Sequence, residues 1–176
     1  HYQSLGLPIF PLHPSPPLNK KGRRPKRPYA PNENEFGYHL FRQVKDKGVV
    51  PTLSEIEEFW TKYPNANIGL YCGEETGISI IDIDVKGEVN GLDTLERNGL
   101  GYLLDVGMKV ISPSGGIHLW FKYTPHLPRD ENWNNLGLDF RNGGRSYYVV
   151  IPPSSYPEGP YAFQDIQPSG FDLSNL

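Results

Sequence analysis

The chain is 176 residues long, with 17 Lys and Arg against 20 Asp and Glu and a formal net charge of −3 at pH 7. This length suits one compact domain with a substantial core. Its eleven Tyr, eight Phe and three Trp exclude wholesale disorder, which requires few aromatic residues. The single cysteine, Cys72, excludes an intramolecular disulfide framework and any zinc site built from several cysteines.

No apolar stretch is long enough to span a membrane, and no apolar segment of signal-peptide type opens the chain. We therefore expect a cytoplasmic protein with no membrane partner. Because the first residue is His1 and not Met, we also expect residues 1–176 to be one domain of a longer polypeptide.

The predicted elements alternate between strands and helices. Residues 5–12 read as a short strand that Pro8 and Pro11 confine to a sheet edge. Helices are predicted at residues 36–44 (ended by Gly48), 52–63 (with a Thr52/Glu55 capping box) and 91–98. Strands are predicted at residues 67–71, 77–84, 109–112, 117–123, 136–141 and 147–151. Strands outnumber helices and the two are interspersed, which predicts a mixed α/β (α+β) fold of sheet and helix layers.

Two acids end the strand predicted at residues 77–84. Asp82 and Asp84 are two residues apart, so they share one face of the strand while Ile81 and Ile83 point into a core. Their repulsion is relieved when a divalent cation lies between them, because Mg²⁺ and Mn²⁺ prefer carboxylate oxygen. The alternative is that the strand has ended and both acids are solvated.

A glycine turn precedes the strand at residues 117–123. Ser114, Gly115 and Gly116 form a tight turn whose backbone amides can approach phosphate oxygens, and His118 follows just beyond it. An ordinary hairpin turn explains the same residues.

The strand at residues 136–141 carries a third acid among apolar residues. Asp139 could complete a three-carboxylate metal site, and Arg141 on the same face could neutralise phosphate charge. A simple ion pair between the two residues is the alternative.

A basic loop precedes the first predicted helix. Residues 20–28 hold six of the 17 Lys and Arg residues, which suits either a contact to nucleic-acid phosphate or a solvated tail.

The order of these motifs is more specific than any one of them. Asp82-Ile-Asp84, the Ser-Gly-Gly-x-His turn, Leu-Asp139 and the later Pro152-Pro153-Ser154 follow in series. This series resembles the archaeo-eukaryotic primase superfamily, and within it the bifunctional primase-polymerase (prim-pol) family of phages, plasmids and other mobile elements. Supporting segments from about residue 5 to residue 153 are Ile9-Phe10-Pro11-Leu12, Lys26-Arg27-Pro28, Trp60 with residues 64–70, and Gly73.

The resemblance implies a catalytic core with an RRM-like sheet and a small N-terminal α/β part. It implies a DNA polymerase and primase, a nucleotidyltransferase of DNA replication that uses two Mg²⁺ or Mn²⁺ ions. Its partners would be a single-stranded DNA template, a primer and nucleoside triphosphates, with a C-terminal helicase region in a longer protein.

The site residues carry over motif by motif. The resemblance implies that the metal-binding catalytic residues are Asp82, Asp84 and Asp139. The implied nucleotide-binding residues are Lys26, Ser114, Gly115, Gly116, His118 and Arg141. Some relatives carry a zinc-binding stem, which Cys72 alone cannot build. Starting a chain without a primer would use a helical segment after the core, but the residues after Pro153 show no helical stripe.

Three alternative functions remain open. One is an end-joining or gap-repair polymerase of the same superfamily. A strand-nicking replication initiator would need paired histidines around one apolar residue, whereas His118 stands alone. A non-catalytic single-strand binding module would need basic and aromatic residues interleaved but no acidic trio.

Overall fold

Antiparallel sheets form the framework of the structure, a computed structural model that describes residues 1–22, 24–29, 36–86, 89–129, 132–143, 148–166 and 170–176. The strands are β1 (Ile9–Leu12), β2 (Asn67–Tyr71), β3 (Ile78–Ile83), β4 (Val85–Lys86), β5 (Val89–Asn90), β6 (Met108–Ile111), β7 (Ile117–Lys122), β8 (Asn132–Trp133), β9 (Leu138–Arg141), β10 (Tyr148–Ile151), β11 (Ser155–Tyr156), β12 (Gly159–Pro160) and β13 (Ala162–Phe163). The largest sheet has six strands in the order β13-β6-β7-β3-β9-β8. A second sheet has the order β1-β2-β10, and β4-β5 and β11-β12 are small hairpins.

The two faces of the six-stranded sheet pack against different layers. Ile81 pairs with Leu119 and Phe140, and these three side chains share a core with Leu95 of a helix. Ile80 pairs with Trp120 on the opposite face, whose core also contains residues of the three-stranded sheet such as Phe10. Because side chains alternate along a strand, β3 is buried on both faces and serves as the centre of the domain.

Four α-helices lie in the described part of the chain: α1 (Phe36–Lys47), α2 (Leu53–Lys62), α3 (Gly91–Arg97) and α4 (Leu103–Val106). Gly48 ends α1 at a positive φ of 64°, where glycine is favoured. Thr52 and Glu55 form the predicted capping box at the start of α2. Phe59 of the predicted α2 stripe is buried, but Leu53 is 51% exposed because the first turn projects beyond the core.

The predicted mixed α/β class is confirmed, and the predicted longer strands and helices are present with differences at their ends. The strand predicted at residues 5–12 begins only at Ile9, after a 3₁₀ turn at Gln3–Leu5. β1 is an edge strand, as its prolines predict. The strand predicted at residues 77–84 ends at Ile83, and the strand predicted from residue 136 begins at Leu138 after a 3₁₀ turn. Tyr147, predicted to begin β10, lies outside the described residues. Among the described residues, no helix is both long enough and apolar enough to cross a membrane.

Candidate active site

Strand register brings three predicted site residues into one row across the six-stranded sheet. Asp82 of β3 lies directly opposite His118 of β7 on one side and Asp139 of β9 on the other. Directly paired residues of antiparallel strands project from the same face. The row therefore lies on the face that carries Ile80 and Trp120, away from α3 and α4.

Asp84 lies immediately after β3, where three backbone segments meet. Its N–H donates to the carbonyl of Gly137 at 2.9 Å, and its own carbonyl accepts from Gly91 N–H at 2.9 Å. A Cβ on Gly91 would lie only 2.3 Å from the Gly137 oxygen. Two glycines therefore allow the close approach that holds the Asp84 backbone just beyond the end of β3.

Asp139 is an acid with both attractive and repulsive neighbours. Arg141 Nη2 donates to Asp139 Oδ2 at 2.9 Å, and both side chains are largely buried. Burial raises the pKa of Asp139; the charge of Arg141 lowers it, and the charges of Asp82 and Asp84 raise it. The ion pair considered as the alternative is thus present, and Asp139 also lies close enough to Asp82 and Asp84 for their charges to affect its pKa.

His118 is buried beside Asp82. Its Nε2 lies 3.6 Å from Asp82 Oδ1, and its ring contacts the Tyr161 ring. Burial lowers the pKa of His118, Arg141 lowers it further, and the charges of Asp82 and Asp84 oppose this. Below-normal basicity favours the neutral ring at pH 7, which has one donor and one acceptor nitrogen.

A cavity of about 300 Å³ opens over this row. Four of the predicted residues line it, together with three residues of β10 and Tyr161, which lies between β12 and β13. The lining residues are Lys26, Asp82, His118, Arg141, Tyr148, Val149, Val150 and Tyr161. The cavity therefore combines two fixed cations, a carboxylate and an imidazole in one small space.

The glycine turn leads directly into β7, at the end of the strand that carries His118. Ser114 is exposed, its Oγ lies 3.2 Å from Ser112 Oγ, and Gly115 has a φ of 81°. A Cβ on Gly116 would lie 2.9 Å from the carbonyl oxygen of Ile83. The turn therefore abuts the residue before Asp84, although none of its residues is among those that line the cavity.

Sequence reasoning missed Tyr148, Tyr161 and the two valines of β10. Tyr148 donates its hydroxyl to the Lys26 carbonyl at 2.6 Å, which fixes the end of the basic loop beside the cavity. No local signal identifies these residues, because their proximity to Lys26 and Asp82 arises from packing between segments far apart in the chain.

The three carboxylates have the chemistry that a hard divalent cation prefers, but their side chains are not arranged around a common point that could bind one. Asp82, Asp84 and Asp139 offer only carboxylate oxygen, the ligand that Mg²⁺ and Mn²⁺ prefer. Their charges act on one another strongly enough to affect the pKa of Asp139. In the described part of the chain, however, no three His, Cys, Asp or Glu residues are grouped so that they could hold a metal ion as they stand.

The chain matches a known protein family over almost its whole length. The model of the N-terminal region of bifunctional DNA primase/polymerases (Prim-Pol) covers residues 1–170. No curated protein matches the chain. The family's activity is that of a primase/polymerase, which is nucleotidyl transfer. The row of acids, the cationic cavity above it and the match over residues 1–170 agree, and the chain belongs to the Prim-Pol family of bifunctional DNA primase/polymerases.

Proposed function

We propose that the chain is a template-dependent DNA polymerase and primase domain that joins incoming nucleotides to a 3′-hydroxyl. The observation that carries this proposal is the row of Asp82, Asp139 and His118 beneath a cavity that also presents Lys26 and Arg141. A carboxylate beside two cationic side chains in one small cavity, with Asp139 paired to Asp82 in the row below, suits a polyanionic substrate that is bound together with cations. The substrates are nucleoside triphosphates, a DNA template and a primer.

The cationic side chains have the task of holding the triphosphate. Lys26 enters the cavity from the basic loop, and Arg141 enters from β9. A planar guanidinium can donate two parallel hydrogen bonds to phosphate oxygens, whereas the ammonium of Lys26 acts as a point charge. The neutral ring of His118 adds a hydrogen-bond donor, and the Gly116 amide with the Ser114 hydroxyl offers further donors near Asp84. The Gly115 amide, predicted to bind the nucleotide, already donates to the Ser112 carbonyl at 2.9 Å.

The acids have the task of holding two divalent ions, Mg²⁺ or Mn²⁺. Asp82, Asp84 and Asp139 would hold the ions, which when bound stabilise the attacking and leaving oxygens of an in-line phosphoryl transfer. Asp139 would then bind a metal ion while its carboxylate also accepts a hydrogen bond from Arg141. The protein's own contribution is then mainly the positioning of charges around the nucleotide.

Primer extension in Mg²⁺ and in Mn²⁺, with each nucleotide set, tests the proposal. We expect the double variant Asp82→Ala/Asp84→Ala to lose incorporation by about a hundredfold or more, the scale seen when one preorganised electrostatic contact is removed. The control is Asp93→Ala/Asp105→Ala, which removes two exposed acids of α3 and α4. It should extend primers normally.

Two results would contradict the assignment. Normal extension by the folded Asp82→Ala/Asp84→Ala variant would show that these acids do not serve the reaction. Binding of single-stranded DNA by the wild type with no incorporation in either cation would favour a non-catalytic binding module instead.

A further inference from the structure

The basic loop is attached to the β11-β12 hairpin by two of its cations. Arg24 Nε donates to Glu158 Oε1 at 2.9 Å, and Arg24 Nη1 donates to the Pro16 carbonyl at 2.7 Å. Lys26 Nζ lies 3.5 Å from the centroid of the Tyr156 ring and 5.7 Å from that of Tyr161. The hairpin therefore contacts the loop on both sides of Pro25.

Tyr156 does not line the cavity, yet it contacts the side chain that does. Its ring is 4% exposed and is fixed by packing in the core shared by the two sheets. Lys26 alone would carry about 2 kcal/mol of rotamer freedom on a flexible four-carbon stem. A cation over an aromatic face is stabilised by about 0.5–2 kcal/mol, depending on how far it is desolvated. The two free energies are of similar size, so the contact with the Tyr156 ring offsets much of the entropy that Lys26 loses when its ammonium stays beside the cavity.

We propose that Tyr156 is a positioning residue that holds the Lys26 ammonium at the mouth of the cavity, ready for the triphosphate of an incoming nucleotide. This inference rests on the proposed function for the identity of the ligand. The restraint on Lys26 does not depend on the ligand's identity, because it is a contact between two residues of the chain itself. Arg24 and Glu158 support the loop from the exposed side of the hairpin, where an ion pair contributes little.

The first experiment measures Lys26 directly. The folded protein is treated with a small amine-acylating reagent, and the rate at Lys26 is read by peptide mass spectrometry, with exposed Lys47 as the internal reference. We expect Tyr156→Leu to raise the rate at Lys26 by about two- to thirtyfold, the range that corresponds to loss of a cation–π contact. Tyr156→Phe keeps an aromatic face and should leave the rate close to that of the wild type.

The second experiment measures equilibrium binding of a deoxynucleoside triphosphate with Mg²⁺. Tyr156→Leu should weaken binding by a factor in the same range of about two to thirty, and Tyr156→Phe should restore it. In the Lys26→Met background, Tyr156→Leu should add almost nothing, because residues that act through one contact are not additive. Glu158→Gln is the matched hairpin control and should change binding by less than about fivefold.

The outcomes separate this inference from the proposed function. An unchanged acylation rate at Lys26 in Tyr156→Leu, or full additivity with Lys26→Met, would overturn the positioning role. Failure of the wild type to bind the triphosphate would overturn the proposed ligand, while the acylation rates would still decide whether Tyr156 holds Lys26. Should Tyr156→Leu fail to fold, Tyr156→Met takes its place, because a flexible side chain fills irregular space.

Discussion

His118 is the residue whose surroundings most restrict its chemistry. It is 5% exposed, its Nδ1 has no hydrogen-bond partner among the described residues, and burial lowers its pKa. A buried ring nitrogen without a partner costs free energy, and a ligand that pairs with it recovers that cost. A hard cation in a set of carboxylates has little preference for imidazole. We therefore expect this ring to pair with a phosphate oxygen of the nucleotide and not with a metal ion.

We expect His118→Ala to weaken nucleotide affinity by about ten- to a hundredfold, the loss expected for a hydrogen bond to a charged group. Cation affinity should change far less. Separate titrations of the nucleotide and of Mn²⁺ measure the two effects. His126→Ala, which removes an exposed histidine from the loop after β7, is the control. A defect confined to cation binding would contradict this role for His118.

At the scale of the elements, the contact between Gly91 and Gly137 positions Asp84. Gly137 has a φ of 71°, and a Cβ there would lie 2.7 Å from Gly91 N and 3.0 Å from the Asp84 carbonyl oxygen. Both neighbours are backbone atoms, which cannot rotate away as a side chain would. Any residue larger than glycine must therefore shift the end of β3, the start of α3 or the turn before β9.

Gly137→Ala should destabilise the domain by more than the roughly 1–2 kcal/mol that a left-handed alanine costs, and it should also lower incorporation by displacing Asp84. Gly99→Ala is a matched control, because Gly99 has a φ of 69° with open space around its Cβ position. Because the two glycines have similar φ angles, the difference between the two variants in denaturant unfolding and in primer extension measures the effect of the steric contacts at Gly137. Equal stability losses with unchanged extension would show that the contact does not position Asp84.

The longer elements could be predicted because their patterns are local. β3 is buried on both faces and reads as a nearly continuous apolar run, and α2 combines a capping box with an apolar stripe. By contrast, α4 has four residues, and β8 and β11 to β13 have two each, too few for a period to show. These short strands exist because long-range packing brings them to a sheet edge or a hairpin partner.

The candidate site divides in the same way. Asp82 and Asp84 stood out because acids follow a buried strand, but their alignment with Asp139 depends on the register of β3 against β9. The position of Asp139 among apolar residues allowed a three-carboxylate site, and the resemblance to a family implied it, but neither gave the register. Tyr156 could not be found at all, since its role depends on a loop that is distant in sequence and lies against its ring.

At the scale of the whole molecule, the cationic side chains of the basic loop divide into those that contact the protein and those that are exposed. Arg24 and Lys26 contact the hairpin, whereas Lys20, Lys21 and Arg27 are exposed. On a chain with a net charge of −3, an exposed cluster of cations is the natural contact for a nucleic-acid backbone. Within the described part of the loop, which leaves out Arg23, the solvated-tail alternative thus applies to these outward residues.

Replacing Lys20, Lys21 and Arg27 with Gln should reduce the slope of log affinity against log salt for single-stranded DNA by about two, at about 0.7 per phosphate contact. Salt titrations of binding measure the slope. Lys47, Lys62 and Lys122 replaced together form the control, with the same change in charge at exposed positions elsewhere. An unchanged slope for the loop variant would mean that the loop is solvated and does not contact the strand.

The size of the cavity bears on how synthesis starts. Extension needs one nucleotide site and a paired primer end, whereas initiation must hold two free nucleotides on a bare template. The second process loses more translational and rotational freedom before chemistry, so it needs more binding surface. A cavity of about 300 Å³ is at the lower end of the range for a single small ligand. After Pro153, the described residues form short strands and 3₁₀ turns but no α-helix that could add a second site.

We therefore predict that these 176 residues extend primers but initiate poorly unless further C-terminal sequence is supplied. The measurement compares one preparation on two templates, one with an annealed primer and one without, in Mg²⁺ and in Mn²⁺. Extension on the primed template is the internal control for activity, so a weak signal on the bare template reports initiation alone. Strong synthesis on the bare template would show that the cavity over Asp82 and its surroundings can hold both nucleotides, and that the size argument fails.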